Sequence, residues 1–140
     1  MLAKAEKALK ALATACNEVV SISNLQTGEV IASLYEEEAG HGFVTCLAAS
    51  SNFLAVGYSS GTVVVYNLET ELANPPHKGE NFEIEHTFSF HKTSVTALNF
   101  SDEDTCLVSG GADTHIVMYD LVASKAEYKL TGHTDSISRL

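Results

Sequence analysis

The sequence predicts an all-β fold made of repeated four-stranded units, on two observations. First, LAVGYSSGTVVVYNL, residues 54 to 68, lies over LVSGGADTHIVMYDL, residues 107 to 121, without a gap. Leu54 meets Leu107, Gly57 meets Gly110, Val64 meets Val117, Tyr66 meets Tyr119, Asn67 meets Asp120 and Leu68 meets Leu121. Second, short runs rich in Val, Ile, Thr, Tyr and Phe recur between Gly, Ser, Asn and Asp, which is how strands and their turns are written. Repetition is weighed before any motif because it sets the unit of the fold.

Residues 1–15 belong to MLAKAEKALKALATAC, with Lys4, Lys7 and Lys10 three apart in an Ala/Leu background. That pattern reads as a short, weakly amphipathic helix. The segment lacks the continuous apolar stretch of a secretory signal, and the absence of Arg and the presence of Glu6 argue against a mitochondrial presequence. The repeat region is expected over residues 16–140. Residues 16–35 end one unit, in VVSISNL, where Ser23-Asn24-Leu25 stands in place of Tyr-Asn-Leu. A full unit covers 43–90, with strands at 43–48, 53–58, 62–67 and 84–90. The next covers 94–130, with strands at 94–100, 105–109, 115–120 and 126–130. VTCL at 44 to 47 matches VTAL at 95 to 98, and TGHTDSISRL at 131 to 140 repeats the opening of FHKTSVTAL, so 136–140 begins a further unit. TVVVYNL is apolar at nearly every position, so both faces of that strand should be covered. Ser60-Gly61 and Gly110-Gly111 are expected to supply positive φ at the hairpin turns.

From Asn24 to Asn67 is 43 residues, and from Asn67 to Asp120 is 53. The excess is one insertion, ETELANPPHKGENFE, which carries both prolines and is expected to be a surface loop before a fourth strand. Four-stranded units at a period of about 40–45 residues are the mark of a β-propeller. The reading is therefore a partial propeller of two complete blades plus parts of two more. Propellers close with at least about four blades, so this segment is expected to be ordered within a longer ring and to associate or unfold in part when alone.

With these residues in hand, the chain resembles the WD40-repeat family. The Gly-His opening stands as Gly132-His133, and as Phe90-His91 with the Gly lost. The Trp-Asp ending stands as Tyr119-Asp120, Tyr66-Asn67 and Ser23-Asn24, with no Trp in any unit. The resemblance implies a structural hydrogen-bond tetrad in one blade: His91, Ser109, Asp113 and Tyr119, the last with a hydroxyl where the family has an indole N–H. In the preceding blade Ser60 and Val56 occupy the Asp and Ser positions, so no tetrad is expected there. Within the family, the order of the segments over about residues 16 to 140 is similar to scaffold propellers of the small-subunit processome. That resemblance implies a non-catalytic role in maturation of small-subunit rRNA, in the nucleolus, among other processome proteins. U3 small nucleolar RNA and pre-ribosomal RNA would be partners through the complex.

Ser109, His91 and Asp113 are also the residue types of a hydrolase triad. Ser109, however, is expected inside a strand, in VSGG, without the Gly-x-Ser-x-Gly elbow that exposes a nucleophile. The glycines of GYSSGT and SGGADT lack the Gly-Lys-[Ser/Thr] ending of a phosphate loop, so no nucleotide cofactor is expected. The six histidines include no pair at metal-ligand spacing on one element, so no metal is expected.

Acids outnumber bases by ten, a poor composition for gripping phosphate backbones directly. Glu36, Glu37 and Glu38 form a run that reads as a solvated loop or as a dock for a basic partner. Cys16, Cys46 and Cys106 are odd in number and far apart, which suits a reducing compartment. No apolar run approaches the roughly 20 residues of a membrane span.

Overall fold

A computed structural model describes residues 2–5, 11–17, 19–24, 30–34, 40–68, 84–101 and 103–140. Its described residues form three antiparallel four-stranded sheets, each a run of consecutive strands. Sheet 1 holds β1 (Leu2–Ala5), β2 (Ala11–Cys16), β3 (Val19–Asn24) and β4 (Val30–Leu34). Sheet 2 holds β5 (Val44–Ala49), β6 (Phe53–Tyr58), β7 (Val63–Asn67) and β8 (Ile84–Phe88). Sheet 3 holds β9 (Val95–Phe100), β10 (Cys106–Gly111), β11 (Ile116–Asp120) and β12 (Lys125–Leu130). These are blades of a partial WD40-type β-propeller. The insertion at 69–83 and the run Glu36, Glu37, Glu38 lie outside the described residues.

Three expectations are corrected. The stretch expected as an N-terminal helix contains β1 and β2, which complete sheet 1, so there are three four-stranded sheets where the sequence suggested two and fragments. The register runs from Ala11↔Asn24 to Cys16↔Val19 between β2 and β3. Alanine's helical preference is only a few tenths of a kcal/mol per residue, and a short isolated helix is marginal in water. Pairing with the open edge of β3 outweighs it. Next, residues 136–140 form no strand, and Ile137 is the sole buried residue from 131 to 140. Finally, Gly110 and Gly111 lie within β10 and do not supply positive φ. At that hairpin Thr114 takes it, at φ 69, whereas Gly61 does so at φ 92 in sheet 2.

The sheets stack face to face, and sheet 2 is covered on both sides. One cluster joins Val20 and Ile22 of sheet 1 to Leu54, Val56, Val64 and Tyr66. The other joins Ala55, Val63, Val65 and Phe88 to Leu107, Val117 and Tyr119 of sheet 3. Val63, Val64 and Val65 are all fully buried although they alternate in direction. Burying such a side chain contributes roughly 1.5–3 kcal/mol, so β7 is a principal source of stability for the stack. Asn52 Nδ2 donates to Asp104 Oδ2 at 3.1 Å, adding a polar tie between sheets 2 and 3.

Candidate functional site: a buried polar tetrad

The fold gathers His91, Ser109, Asp113 and Tyr119 at the junction of sheets 2 and 3. Three local structures place them. His91 precedes β9, Ser109 lies mid-strand in β10, and Tyr119 pairs with Leu107 across β10 and β11. Asp113 sits in the turn between those two strands. An ionised carboxylate only accepts, so the proton between His91 and Asp113 is on the ring. His91 Nδ1 donates to Asp113 Oδ1 at 3.0 Å. His91 Nε2 lies 2.7 Å from Ser109 Oγ, and Ser109 Oγ donates to the Tyr119 hydroxyl at 2.9 Å.

Backbone donors finish the arrangement. Lys92 N donates to Asp113 Oδ2 at 2.9 Å, and His115 N donates to Oδ1 at 3.2 Å. Burial alone would raise the Asp113 carboxyl. These donors, with the His91 ring, outweigh burial and hold it well below the usual carboxylate range. The Tyr119 phenol is pushed up to about 12, by burial first and by the Asp113 charge as well. The Phe88 ring stacks on Tyr119 at a centroid distance of 4.3 Å, and Phe90 leans over it at 5.9 Å.

Gly111 makes room for this set. A Cβ there would fall 2.5 Å from both Asp113 Oδ1 and His91 Nδ1. His115 Nδ1 lies 3.5 Å from Asp113 Oδ2 and makes no hydrogen bond among the described residues. Sheet 2 lacks the serine of this set, because Val56 stands where sheet 3 has Ser109. Its turn carries a hydroxyl chain: Ser60 Oγ donates to Thr62 Oγ1 at 3.2 Å, which lies 3.3 Å from Ser89 Oγ.

The geometry fits bracing and does not fit nucleophilic chemistry. Ser109 is 0% exposed and the His91 side chain is fully enclosed. A substrate carbonyl has no approach to Ser109 Oγ. Cys46 is similarly inert: burial pushes its thiol up to about 11, away from the reactive thiolate. Among the described residues no three His, Cys, Asp or Glu gather as metal ligands.

The residues at the Trp-Asp positions divide. Tyr66 is a buried core residue, and Asn67 Nδ2 donates to Glu85 Oε2 at 3.4 Å. Asp120 Oδ1 caps the β11–β12 turn by accepting from Val122 N and Ala123 N, both at 2.8 Å. Ser23 pairs with Val30 across β3 and β4, and Asn24 ends β3. The sequence reading passed over Thr45 and Thr96, treating them only as strand formers. Their signal was available in the paired VTCL and VTAL.

These features define a class: a β-propeller of stacked four-stranded blades, braced by buried polar contacts. The chain belongs to the Vps8 β-propeller family, whose profile matches residues 18–138. Among curated proteins it is similar to chromatin assembly factor 1 subunit FAS2 homolog of Oryza sativa subsp. japonica. The identity is 27% over 84 residues, covering 60% of this chain and 16% of that protein. It is also similar to Topless-related protein 2 of Arabidopsis thaliana, 24% identical over 106 residues, covering 76% of this chain and 8% of that one. The chain thus spans less than a fifth of either relative.

Among solved structures, the RRP9 WD40 repeats superpose with a TM-score of 0.78 at 19% identity, covering 92% of this chain and 37% of that one. U3-55K superposes at 0.77 and 18% identity, covering 92% and 38%. At these identities the likeness is one of fold.

Proposed function

We propose that the chain is a non-catalytic interaction scaffold and that the assembly it serves is the small-subunit processome. The observation that carries the scaffold reading is the complete enclosure of Ser109 and the His91 side chain between two sheets. Residue types that elsewhere perform acyl transfer here join a turn to the loop before β9.

The processome assignment is supported by the order of NLQTGEVIASL, LAVGYSSGTVVVYNL, GGADTHIVMYDL and the Gly132-His133 pair. That order is similar to the amino-terminal propeller of WD repeat-containing protein three. On this reading the protein works in the nucleolus among other processome proteins. It meets U3 small nucleolar RNA and pre-ribosomal RNA through the complex, since its net charge of −10 disfavours direct contact with phosphates. Purification of the tagged full chain from cells, with RNA and protein identification, tests this. Recovery with U3 RNA and processome subunits is the expected outcome. Recovery only with an unrelated complex would remove the rRNA role and leave the scaffold.

A second reading has a specific observation in its favour. The family that matches is the Vps8 β-propeller, and the alternative is a WD40 scaffold of another intracellular complex, a ubiquitin-ligase adaptor or a vesicle coat. The same purification separates the two.

A further inference from the structure

We infer that sheets 2 and 3 each carry a small receptor for the segment that follows, built from a bare glycine and a threonine hydroxyl and selective for a β-branched residue. The two instances are separate in sequence and alike in geometry. In sheet 2, Gly57 lies between Cys46 and Val95, and a Cβ on that glycine would fall 2.5 Å from Cys46 Sγ, 2.9 Å from Val95 Cγ1 and 3.0 Å from Val95 Cβ. In sheet 3, Gly110 lies under Ile137, with the corresponding distances 2.5 Å to Cγ2 and 2.8 Å to Cβ.

The threonines complete the receptors. Thr45 Oγ1 shares its single proton between Gly57 O, at 3.1 Å, and Val95 O. Thr96 Oγ1 shares its proton between Gly110 O, at 3.1 Å, and Ile137 O. Each hydroxyl therefore ties its own glycine's carbonyl to the carbonyl of the residue seated on that glycine. A backbone bond adds to the grip in sheet 3, where Ile137 N donates to Gly111 O at 3.2 Å. A backbone bond one position further along the turn, Val44 N to Asn17 O at 2.7 Å, joins sheets 1 and 2.

The occupant's chemistry follows from the seat. Cβ and a γ carbon make the contact in both seats, and Ile137 brings its second γ carbon to 3.4 Å, close to the occupant's own backbone. Val and Ile place two γ carbons there; an unbranched chain places one. Among the described residues, Ile137 is seated without a ladder around it. Ile137 is 6% exposed although its neighbours from 131 to 136 and from 138 to 140 are all exposed and form no strand. The clamp, and not strand pairing, holds this residue.

Amide exchange in the full chain tests the inference. The Ile137 amide should exchange far more slowly than those of Ser136 and Ser138. Thr96→Val should speed it by about three- to tenfold, the loss of one ordinary hydrogen bond, while Thr96→Ser should leave it near the wild-type rate. Gly110→Val should release the segment, so that Ile137 exchanges like its neighbours. An Ile137 amide unaffected by Thr96→Val, or lost equally in Thr96→Ser, would overturn the proposal. Should the valine variant not fold, the wild-type Thr96 hydroxyl proton decides the matter: slow exchange supports the clamp, and exchange at the rate of an exposed threonine overturns it.

Discussion

His91 Nδ1 and Asp113 Oδ1 lie 3.0 Å apart although 22 residues separate them in the chain. The contact fastens the loop entering β9 to the turn between β10 and β11. Asp113 also accepts from two main-chain donors, Lys92 N in the loop and His115 N just before β11. One carboxylate therefore fixes the loop before β9 to the turn before β11. A hydrogen bond to a charged group contributes about 1.5–3 kcal/mol, and leaving one partner buried alone costs a comparable amount.

The first prediction follows. His91→Ala and Asp113→Ala should each destabilise the fold by about 1–3 kcal/mol. The double variant should cost less than the sum, because both residues serve one network. Denaturant unfolding in a double-mutant cycle measures this, and strict additivity would show that the pair does not interact. Ser60→Ala, at the equivalent turn of sheet 2, should cost much less, since its hydroxyl binds only another hydroxyl.

Acid should loosen the same turn. The folded-state carboxyl of Asp113 is held below its ordinary value, so the unfolded chain binds that proton first as pH falls. The stabilisation is complete above the ordinary carboxylate range, about pH 4, and is lost as pH drops through the folded value. Asp113→Asn should flatten this acid limb. The gap between the denaturant midpoints of wild type and variant should be constant above about pH 5 and narrow from there toward about pH 2. A constant gap across that range would mean that Asp113 does not titrate with folding.

Tyr119 is predicted to matter through both ends of its side chain. Tyr119→Phe keeps the ring against Phe88 and loses the bond from Ser109, so it should cost about 0.5–1.5 kcal/mol. Tyr119→Ala also opens a cavity between sheets 2 and 3 and should cost about 3–5 kcal/mol. Thermal and urea unfolding of the two variants check the difference. Equal losses would place the whole effect in the hydroxyl.

What was legible in the sequence depended on where the information lay. The strands of sheets 2 and 3 could be read because apolar, β-branched runs and turn residues mark them locally. The resemblance to the WD40 family implied His91, Ser109, Asp113 and Tyr119 as a set, and the four are adjacent in space. Strands β1 and β2 were not readable: Ala-rich ALATAC favours a helix locally, and the edge of β3 that pairs with it is a tertiary fact. Gly110 and Gly111 were misread for a related reason. A glycine pair beside a polar knot looks like a turn, yet these two are needed for close approach, one beneath Ile137 and one beside His91 and Asp113.

The last prediction concerns the outward face of sheet 3. Cross-strand pairing puts Val108, Met118 and Tyr128 on one face, with Ile116 and Leu130 beside them. Their counterparts on sheet 2 are Ala55, Val65, His86, Val63 and Phe88, and the first, second, fourth and fifth of these are buried under sheet 3. On sheet 3 itself, Tyr128 is 62% exposed and Leu130 54%, while Val108, Ile116 and Met118 are half-buried. A few hundred Å² of such surface, at about 25 cal/mol per Å², is worth several kcal/mol, comparable to the stability of a whole domain. The 140-residue chain on its own should therefore self-associate through this face. Sedimentation velocity should show species larger than a monomer, and Tyr128→Lys with Leu130→Lys should shift the distribution toward monomer without unfolding sheet 2. A wild-type monomer with one cooperative unfolding transition would count against this view. It would mean that the stacking of sheets 1, 2 and 3, with Ile137 clamped on Gly110, is sufficient while the apolar face stays in water.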